Sequence, residues 1–223
     1  MTREPRGVPF WSPAEVEAAI PATLAYLERR GVLAYPTETV YGFGGAIDGA
    51  SVDRLIALKE RPEGKPFLLL IAGSGMIGRL GLTLPPSAAM LAARFWPGPL
   101  TLVLPGGERR VSAKLRGPEG GIAVRWTSHA GLQRLITAMG EPLTSTSANR
   151  PGRSPAMSAA DLLAQWGPDV ARGRIRLLDG GTLQPSRAST VVDCTTRRLR
   201  VIRPGAIAAA TLRESVRDLL GDR

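Results

Sequence analysis

The run Phe67-Leu-Leu-Leu-Ile71 contains no polar side chain. Successive strand residues point to opposite faces, so such a run has two apolar faces and belongs to a central strand covered on both sides. Other segments read as strands around it: Val32 to Tyr35, Leu100 to Leu104, Gly121 to Arg125, Ser189 to Asp193 and Leu199 to Ile202. Helical segments alternate with them. Ser12-Pro-Ala-Glu15 has the form of a capping box with proline at the first helical position, which opens a helix to about Arg29. Further helices are expected from Ser51, with Val52, Leu55, Ile56 and Leu58 on its apolar side, and over Pro86 to Phe95 and Ser128 to Met139. Ser158-Ala-Ala-Asp161 caps another to about Trp166, and Thr211 to Leu220 closes the chain. Residues 37–49 read as a Thr- and Gly-rich loop. This alternation implies an α/β fold: one domain over residues 1–223, core about 12–210, with a mixed sheet flanked by helices. The Gly/Pro-rich stretches 105–121 and 150–156 are short enough to be loops.

Composition removes several function classes. One cysteine (Cys194) and one histidine (His129) leave no disulfide within the chain and no Cys/His zinc site. A Ser-His-Asp or Cys-His enzyme would have to use those lone residues, and neither has the flanking motif. No apolar run approaches the roughly 18 residues that span a bilayer. With no signal pattern at the N-terminus, a cytoplasmic protein without membrane partners is expected. The formal charge of +10 invites a polyanion such as a nucleotide or tRNA, or is simply a solvated basic surface. Of 29 basic residues three are lysines, and two of these, Lys59 and Lys65, fall within one short segment.

Four polar clusters sit at element ends, where α/β proteins place ligand sites. Pro36-Thr-Glu-Thr-Val-Tyr-Gly42 follows a strand and is either a ligand loop or a plain turn. Lys59-Glu-Arg-Pro-Glu-Gly-Lys-Pro66 gathers three cations; it suits a triphosphate, or decorates a helix C-terminus favourably. Thr144-Ser-Thr-Ser-Ala-Asn149 offers hydroxyls and an amide, or is a Ser/Thr-rich strand end. The fourth combines Arg125, Ser189-Thr190 and Arg203-Pro-Gly-Ala206, with each arginine held near the sheet. No Walker loop is present, and Gly42-Phe-Gly-Gly45 has the wrong spacing for a dinucleotide-binding turn.

Together these clusters resemble the YrdC-like threonylcarbamoyl-AMP synthase family. The matching pieces, in the family's order, are Tyr35 to Gly42, Lys59-Glu-Arg-Pro62, Phe95-Trp-Pro-Gly-Pro-Leu-Thr101, Ser145-Thr-Ser-Ala-Asn149, Ser189-Thr-Val-Val-Asp193 and Arg203-Pro-Gly-Ala-Ile207. The resemblance implies a twisted sheet with a basic concave cavity. It also implies the substrates L-threonine, bicarbonate (or CO2) and ATP with Mg²⁺, and an adenylate made for tRNA N6-threonylcarbamoyladenosine. Transfer to tRNA falls to other proteins of that pathway, with direct tRNA binding by this chain a further possibility. Carried over by position, the resemblance makes Lys59 and Arg61 catalytic and nucleotide-binding, joined at the nucleotide by Lys65, Ser147, Asn149 and Arg203. Thr37, Arg125, Ser145 and Ser189 line the threonine pocket, and no protein metal ligand is implied.

One departure is Arg125-Trp-Thr127, where the family often has Arg-x-Pro; a less rigid backbone is expected there. Neither the extra C-terminal domain of longer family members, nor the additional domains and cysteine-rich zinc motifs of the HypF carbamoyltransferases that share YrdC-like domains, is expected. The reading from another class is a non-catalytic basic module that holds tRNA or double-stranded RNA. Strong salt-sensitive RNA affinity without ATP turnover would mark it.

Overall fold

A capping box opens the first helix as the sequence implies: the Ser12 hydroxyl accepts from Glu15 N, and the Glu15 carboxylate accepts from Ser12 N at 2.8 Å. Donation from the backbone amides of Ser12 and then Trp11 holds the Glu15 carboxyl below its ordinary value. The computed structural model describes residues 7–61 and 66–220. Their strands are β1 (Val8–Pro9), β2 (Val32–Tyr35), β3 (Gly42–Gly44), β4 (Leu68–Ile71), β5 (Leu100–Leu104), β6 (Ile122–Trp126), β7 (Leu143–Ser147), β8 (Ile175–Asp179), β9 (Thr190–Asp193) and β10 (Arg200–Arg203). The helices are α1 (Pro13–Glu28), α2 (Gly49–Lys59), α3 (Gly75–Arg79), α4 (Pro86–Phe95), α5 (Ala130–Met139), α6 (Ala159–Ala171) and α7 (Ala209–Leu220), with a 3-10 turn at Ala113–Leu115. No helix among the described residues is long and apolar enough to cross a membrane.

The strands form one mixed sheet in the order β1-β8-β2-β3-β7-β4-β6-β5-β9-β10. The apolar run predicted to be central is central: β4 lies between antiparallel β7 and parallel β6. Register then sorts the side chains. Ser145, Leu68, Ala123 and Val103 stand side by side across β7, β4, β6 and β5. One position along each strand, Thr144, Leu69, Val124 and Leu102 form the opposite face, and all four are buried. Helices α4 and α5 pack against β5 and β4. Burial of each large aliphatic side chain in this layer contributes about 1.5–3 kcal/mol. The helix-covered face is thus apolar apart from Thr144, and the other mixes Leu68 and Val103 with Ala123 and Ser145.

The expected loop at residues 37–49 contains β3. Gly42-Phe-Gly44 carries no alternating pattern, so its strand character comes from pairing with β2 and β7. Helix α2 begins two residues before Ser51, because Asp48 accepts from both Ala50 N and Ser51 N. Helix α6 runs past Trp166 to Ala171 despite Pro168. Trp166 is buried, with the Arg150 guanidinium 4.1 Å above its ring, and Asp169 pairs with Arg150 and Arg174. These contacts outweigh the missing proline donor. The pieces β1, β7, β8 and α3 were not evident from periodicity. β1 has two residues, β7 is mostly hydroxylic, and Arg176 interrupts the apolar pattern of β8.

Gly44 is dictated by close packing of β3 on β7. A Cβ at this position would lie 1.7 Å from the Thr144 carbonyl oxygen. The Tyr35 hydroxyl, which donates to that carbonyl at 2.8 Å, closes the same space. Gly44→Ala is therefore expected to lower stability by roughly 3 kcal/mol in chemical denaturation. Gly49→Ala, with open space around its Cβ, should change stability by less than about 1 kcal/mol.

Candidate active site

The face of the sheet that carries Ala123, Arg125 and Ser145 forms the floor of a cavity of about 460 Å³. Leu68, Thr101, Val103, Ala123, Ser145 and Val191 contribute strand positions to it. Its charged lining among the described residues is Arg61, Arg125, Arg203 and Glu119, so cations outnumber the carboxylate three to one. Seven sequence-predicted residues meet here: Thr37, Arg61, Arg125, Ser145, Ser147, Ser189 and Arg203. Lys59 and Asn149 stand behind the wall, and Lys65 lies outside the described residues.

Arg125 comes from the fourth position of β6 and is 4% exposed. An arginine this deep needs a partner. Its Nε lies 3.2 Å from Glu38 Oε1, and both side chains are nearly buried. The approach is an ion pair without hydrogen-bond alignment, since each of these atoms is buried without a hydrogen bond. Nη1 donates to the Thr39 hydroxyl at 3.4 Å. Thr37, directly after the strand it was predicted to follow, shapes the turn: its hydroxyl donates to Val40 O at 2.7 Å and accepts from Thr39 N and Val40 N.

Arg203 approaches from β10, at the sheet's edge. Nε and Nη2 donate to Ser189 O at 3.2 and 2.9 Å, and Nη2 also reaches the Ser189 hydroxyl at 2.9 Å. That hydroxyl pairs with Thr101 Oγ1 at 2.9 Å. Gly205 permits the approach, because a Cβ there would lie 2.2 Å from Ala188 O. Burial, and then the positive charge of Arg125, push the Arg203 pKa down. Two guanidiniums that repel each other across a cavity are an anion site.

Arg61 lies at the other wall. Its guanidinium sits 4.4 Å above the Phe67 ring, donates to Thr146 Oγ1 at 3.0 Å and also binds Pro66 O. Burial lowers its pKa to about 10, so it stays cationic at neutral pH. The Lys59 ammonium donates to Ser147 O at 3.0 Å and to the Asn149 carbonyl and side-chain oxygens. The Ser147 hydroxyl donates to Asn149 Oδ1 at 2.6 Å. Lys59 therefore fastens the turn after β7, and Arg61, two residues on, reaches the cavity.

Thr127 corrects the expectation of a loose backbone after Arg125. It is fully buried, its carbonyl accepts from Gln133 Nε2 at 2.7 Å, and its hydroxyl donates to Glu38 Oε2 at 2.6 Å. Glu38, Thr39, Thr101 and Thr127 stood in the quoted motifs but were given no site role, and Glu119 was not named. The signal for Thr101 was available: it is a polar residue at alternate register with Val103 in an otherwise apolar strand. His129 caps α5, with Nδ1 accepting from Leu132 N at 3.2 Å. Burial raises the Cys194 thiol to about 12. Neither takes part in the cavity. A second cavity of about 580 Å³, walled by Tyr26, Arg29, Arg54 and Arg174, shares no residue with it.

Residues 25–205 match the family profile Sua5/YciO/YrdC, which carries the description "Telomere recombination". A threonylcarbamoyl-AMP synthase of Thiobacillus denitrificans is 38% identical over 184 residues, 82% of this chain and 95% of that protein. One from Chromohalobacter salexigens is 42% identical over 183 residues, 80% of this chain and 94% of that protein. Among solved structures, Pyrococcus abyssi Sua5 complexed with L-threonine superposes with a TM-score of 0.83 at 30% identity. That match covers 94% of this chain and 60% of the Pyrococcus chain. The chain belongs to the Sua5/YciO/YrdC family of threonylcarbamoyl-AMP synthases.

The converging arginines imply that the cavity binds polyanions before any chemistry occurs. Inorganic pyrophosphate at tenfold its dissociation constant should raise the melting temperature by about 4 °C. An Arg61→Ala/Arg203→Ala double variant should lose this shift, as read by differential scanning fluorimetry.

Proposed function

We propose that this chain is an L-threonylcarbamoyladenylate synthase, a nucleotidyltransferase that condenses L-threonine, bicarbonate (or CO2) and ATP into threonylcarbamoyl-AMP and pyrophosphate. The observation that carries the reading is the convergence of Arg61, Arg125 and Arg203 with the Ser145 and Ser189 hydroxyls on one cavity. Relatives of nearly full coverage bear that activity as their name, and the Pyrococcus structure holds L-threonine. The adenylate serves N6-threonylcarbamoyladenosine formation at position 37 of tRNA. The partners are then the cytoplasmic proteins that complete transfer, with direct tRNA contact an additional role for the basic surface.

In this reading threonine's amine adds to CO2 and loses a proton, giving a carbamate. A carbamate oxygen attacks the α-phosphorus of ATP, and the bond to pyrophosphate breaks. The carbamate already carries its negative charge, so the attack needs no imidazole base. Arg125 pairs with the amino-acid carboxylate, beside Thr37, Ser145 and Ser189. Arg61 and Arg203 face the triphosphate, with Ser147 at the nucleotide, Asn149 behind it accepting from the Ser147 hydroxyl, and Lys65 as a further cation on the segment after Arg61. Lys59 acts from behind, by holding the Ser147–Asn149 turn where Arg61 needs it. Catalysis is then alignment and charge stabilisation rather than proton transfer.

The described residues hold no group of three or more His, Cys, Asp or Glu able to bind a metal. Mg²⁺ is commonly held by substrate phosphates and water with one or two carboxylates. Glu119 is the carboxylate in the cavity wall that would join it. Mg²⁺ bound there neutralises charge on the phosphates.

The test is mass spectrometry of the protein incubated with ATP, Mg²⁺, bicarbonate and L-threonine. Threonylcarbamoyl-AMP that vanishes when threonine or bicarbonate is omitted supports the reading. A folded, ATP-binding sample that forms neither adduct nor pyrophosphate contradicts it and favours the RNA-binding module. Arg61→Ala and Lys59→Ala should each lower kcat by about 10²–10³ while far-UV circular dichroism stays unchanged.

A further inference from the structure

Thr127 ends a chain of contacts that begins at the cavity. Arg125 lines the cavity, its Nη1 meets the Thr39 hydroxyl in the wall, and its Nε faces back toward Glu38 Oε1 at 3.2 Å. The second Glu38 oxygen, Oε2, accepts from Thr127 Oγ1 at 2.6 Å. The Thr127 hydroxyl in turn accepts from His129 N at 3.2 Å. Its carbonyl accepts from Gln133 Nε2, and its amide donates to Ile71 O at 3.4 Å. Thr127 is thus fixed by α5 and β4 and has its hydroxyl proton aimed at one carboxylate oxygen. With that oxygen held, the other is left to face Arg125.

We propose that Thr127 and Glu38 are positioning residues for the substrate's carboxylate: Thr127 orients Glu38, and Glu38 holds the Nε side of Arg125 so that the guanidinium's outer edge meets the amino acid. The inference rests on the reading that Arg125 takes the threonine carboxylate. It assigns Glu38 a second effect. Its negative charge offsets part of the positive charge that Arg125 brings to the cavity, and removing it leaves a stronger field for a highly charged anion. An Oε1–Nε contact that lacks hydrogen-bond alignment is also one that depends on its far anchor, since nothing but charge holds the near end.

Steady-state kinetics of Thr127→Val, which keeps the side-chain shape and removes the hydroxyl, tests this. The expected result is a threonine KM raised about tenfold or more, the effect of losing one hydrogen bond to a charged group. The KM for ATP should stay within about twofold and kcat within about threefold. Thr127→Ser should restore the threonine KM. Glu38→Gln should reproduce the selective rise and, by removing the negative charge, tighten inhibition by pyrophosphate. It also keeps the question answerable where Thr127→Val folds poorly. An unchanged threonine KM in Thr127→Val, parallel rises for threonine and ATP, or no rescue by serine would overturn the positioning role. Calorimetric titration of L-threonine separates the two levels. If Arg125→Lys binds threonine as wild type does, the parent reading fails. If Arg125→Lys is defective while Thr127→Val and Glu38→Gln bind normally, only the positioning role fails.

Discussion

A guanidinium buried in the middle of a β-sheet is the constraint around which this molecule is arranged. Arg125 occupies a central strand position that would ordinarily hold an aliphatic side chain, and it is 4% exposed. Desolvating an arginine costs several kcal/mol unless partners surround it. Glu38 supplies the opposite charge, and Thr39 supplies an acceptor. Removal of one member of such a buried pair leaves an uncompensated charge and costs about 3–5 kcal/mol. The pairing is nonetheless incomplete, because Nε and Oε1 lack aligned hydrogen bonds. In the proposed reading Glu38 holds the inner side of the guanidinium, and its outer edge is left to meet an incoming carboxylate in the cavity.

The division of the sheet into two unlike faces makes that placement possible. Leu69, Leu102 and Val124 give the helix-covered face its apolar contacts, and this layer carries the fold. The other face is therefore free to hold small and polar groups at low cost to stability. Arginines from three different places in the chain reach it: Arg61 after α2, Arg125 within β6 and Arg203 at the end of β10. Burial, and then the charge of Arg125, depress the pKa of Arg203. The aromatic ring of Phe67 and the carbonyl of Pro66 hold Arg61 in place. The glycine at position 205 allows β10 to bring Arg203 against Ser189. Each contact fixes a cation that free solution would scatter, and the result is a preorganised anion site.

Much of this was written in local sequence. Capping boxes, apolar runs and the Gly and Pro punctuation marked α1, α4, β2, β4 and β5 because those signals act within a few residues. The strands β3 and β8 escaped, and β7 was read only as a possible Ser/Thr-rich strand end, because their identity depends on pairing partners far along the chain. The residues that line the cavity were legible as clusters at element ends, but the clusters did not reveal which cations face inward. Lys59 and Arg61 lie two residues apart and look alike in sequence, yet one fastens a turn and the other meets the cavity. The partnership of Glu38 with Thr127 was hidden for a different reason. Their contact spans 89 residues, and only the fold brings a loop after β2 against the residue after β6.

A crystal structure of the protein with L-threonine and a non-hydrolysable ATP analogue tests the central claim most directly. The account predicts the threonine carboxylate within about 3 Å of the Arg125 guanidinium, with the triphosphate toward Arg61 and Arg203. Ligands seated in the cavity of Tyr26, Arg29, Arg54 and Arg174, or threonine bound with its carboxylate away from Arg125, would contradict it.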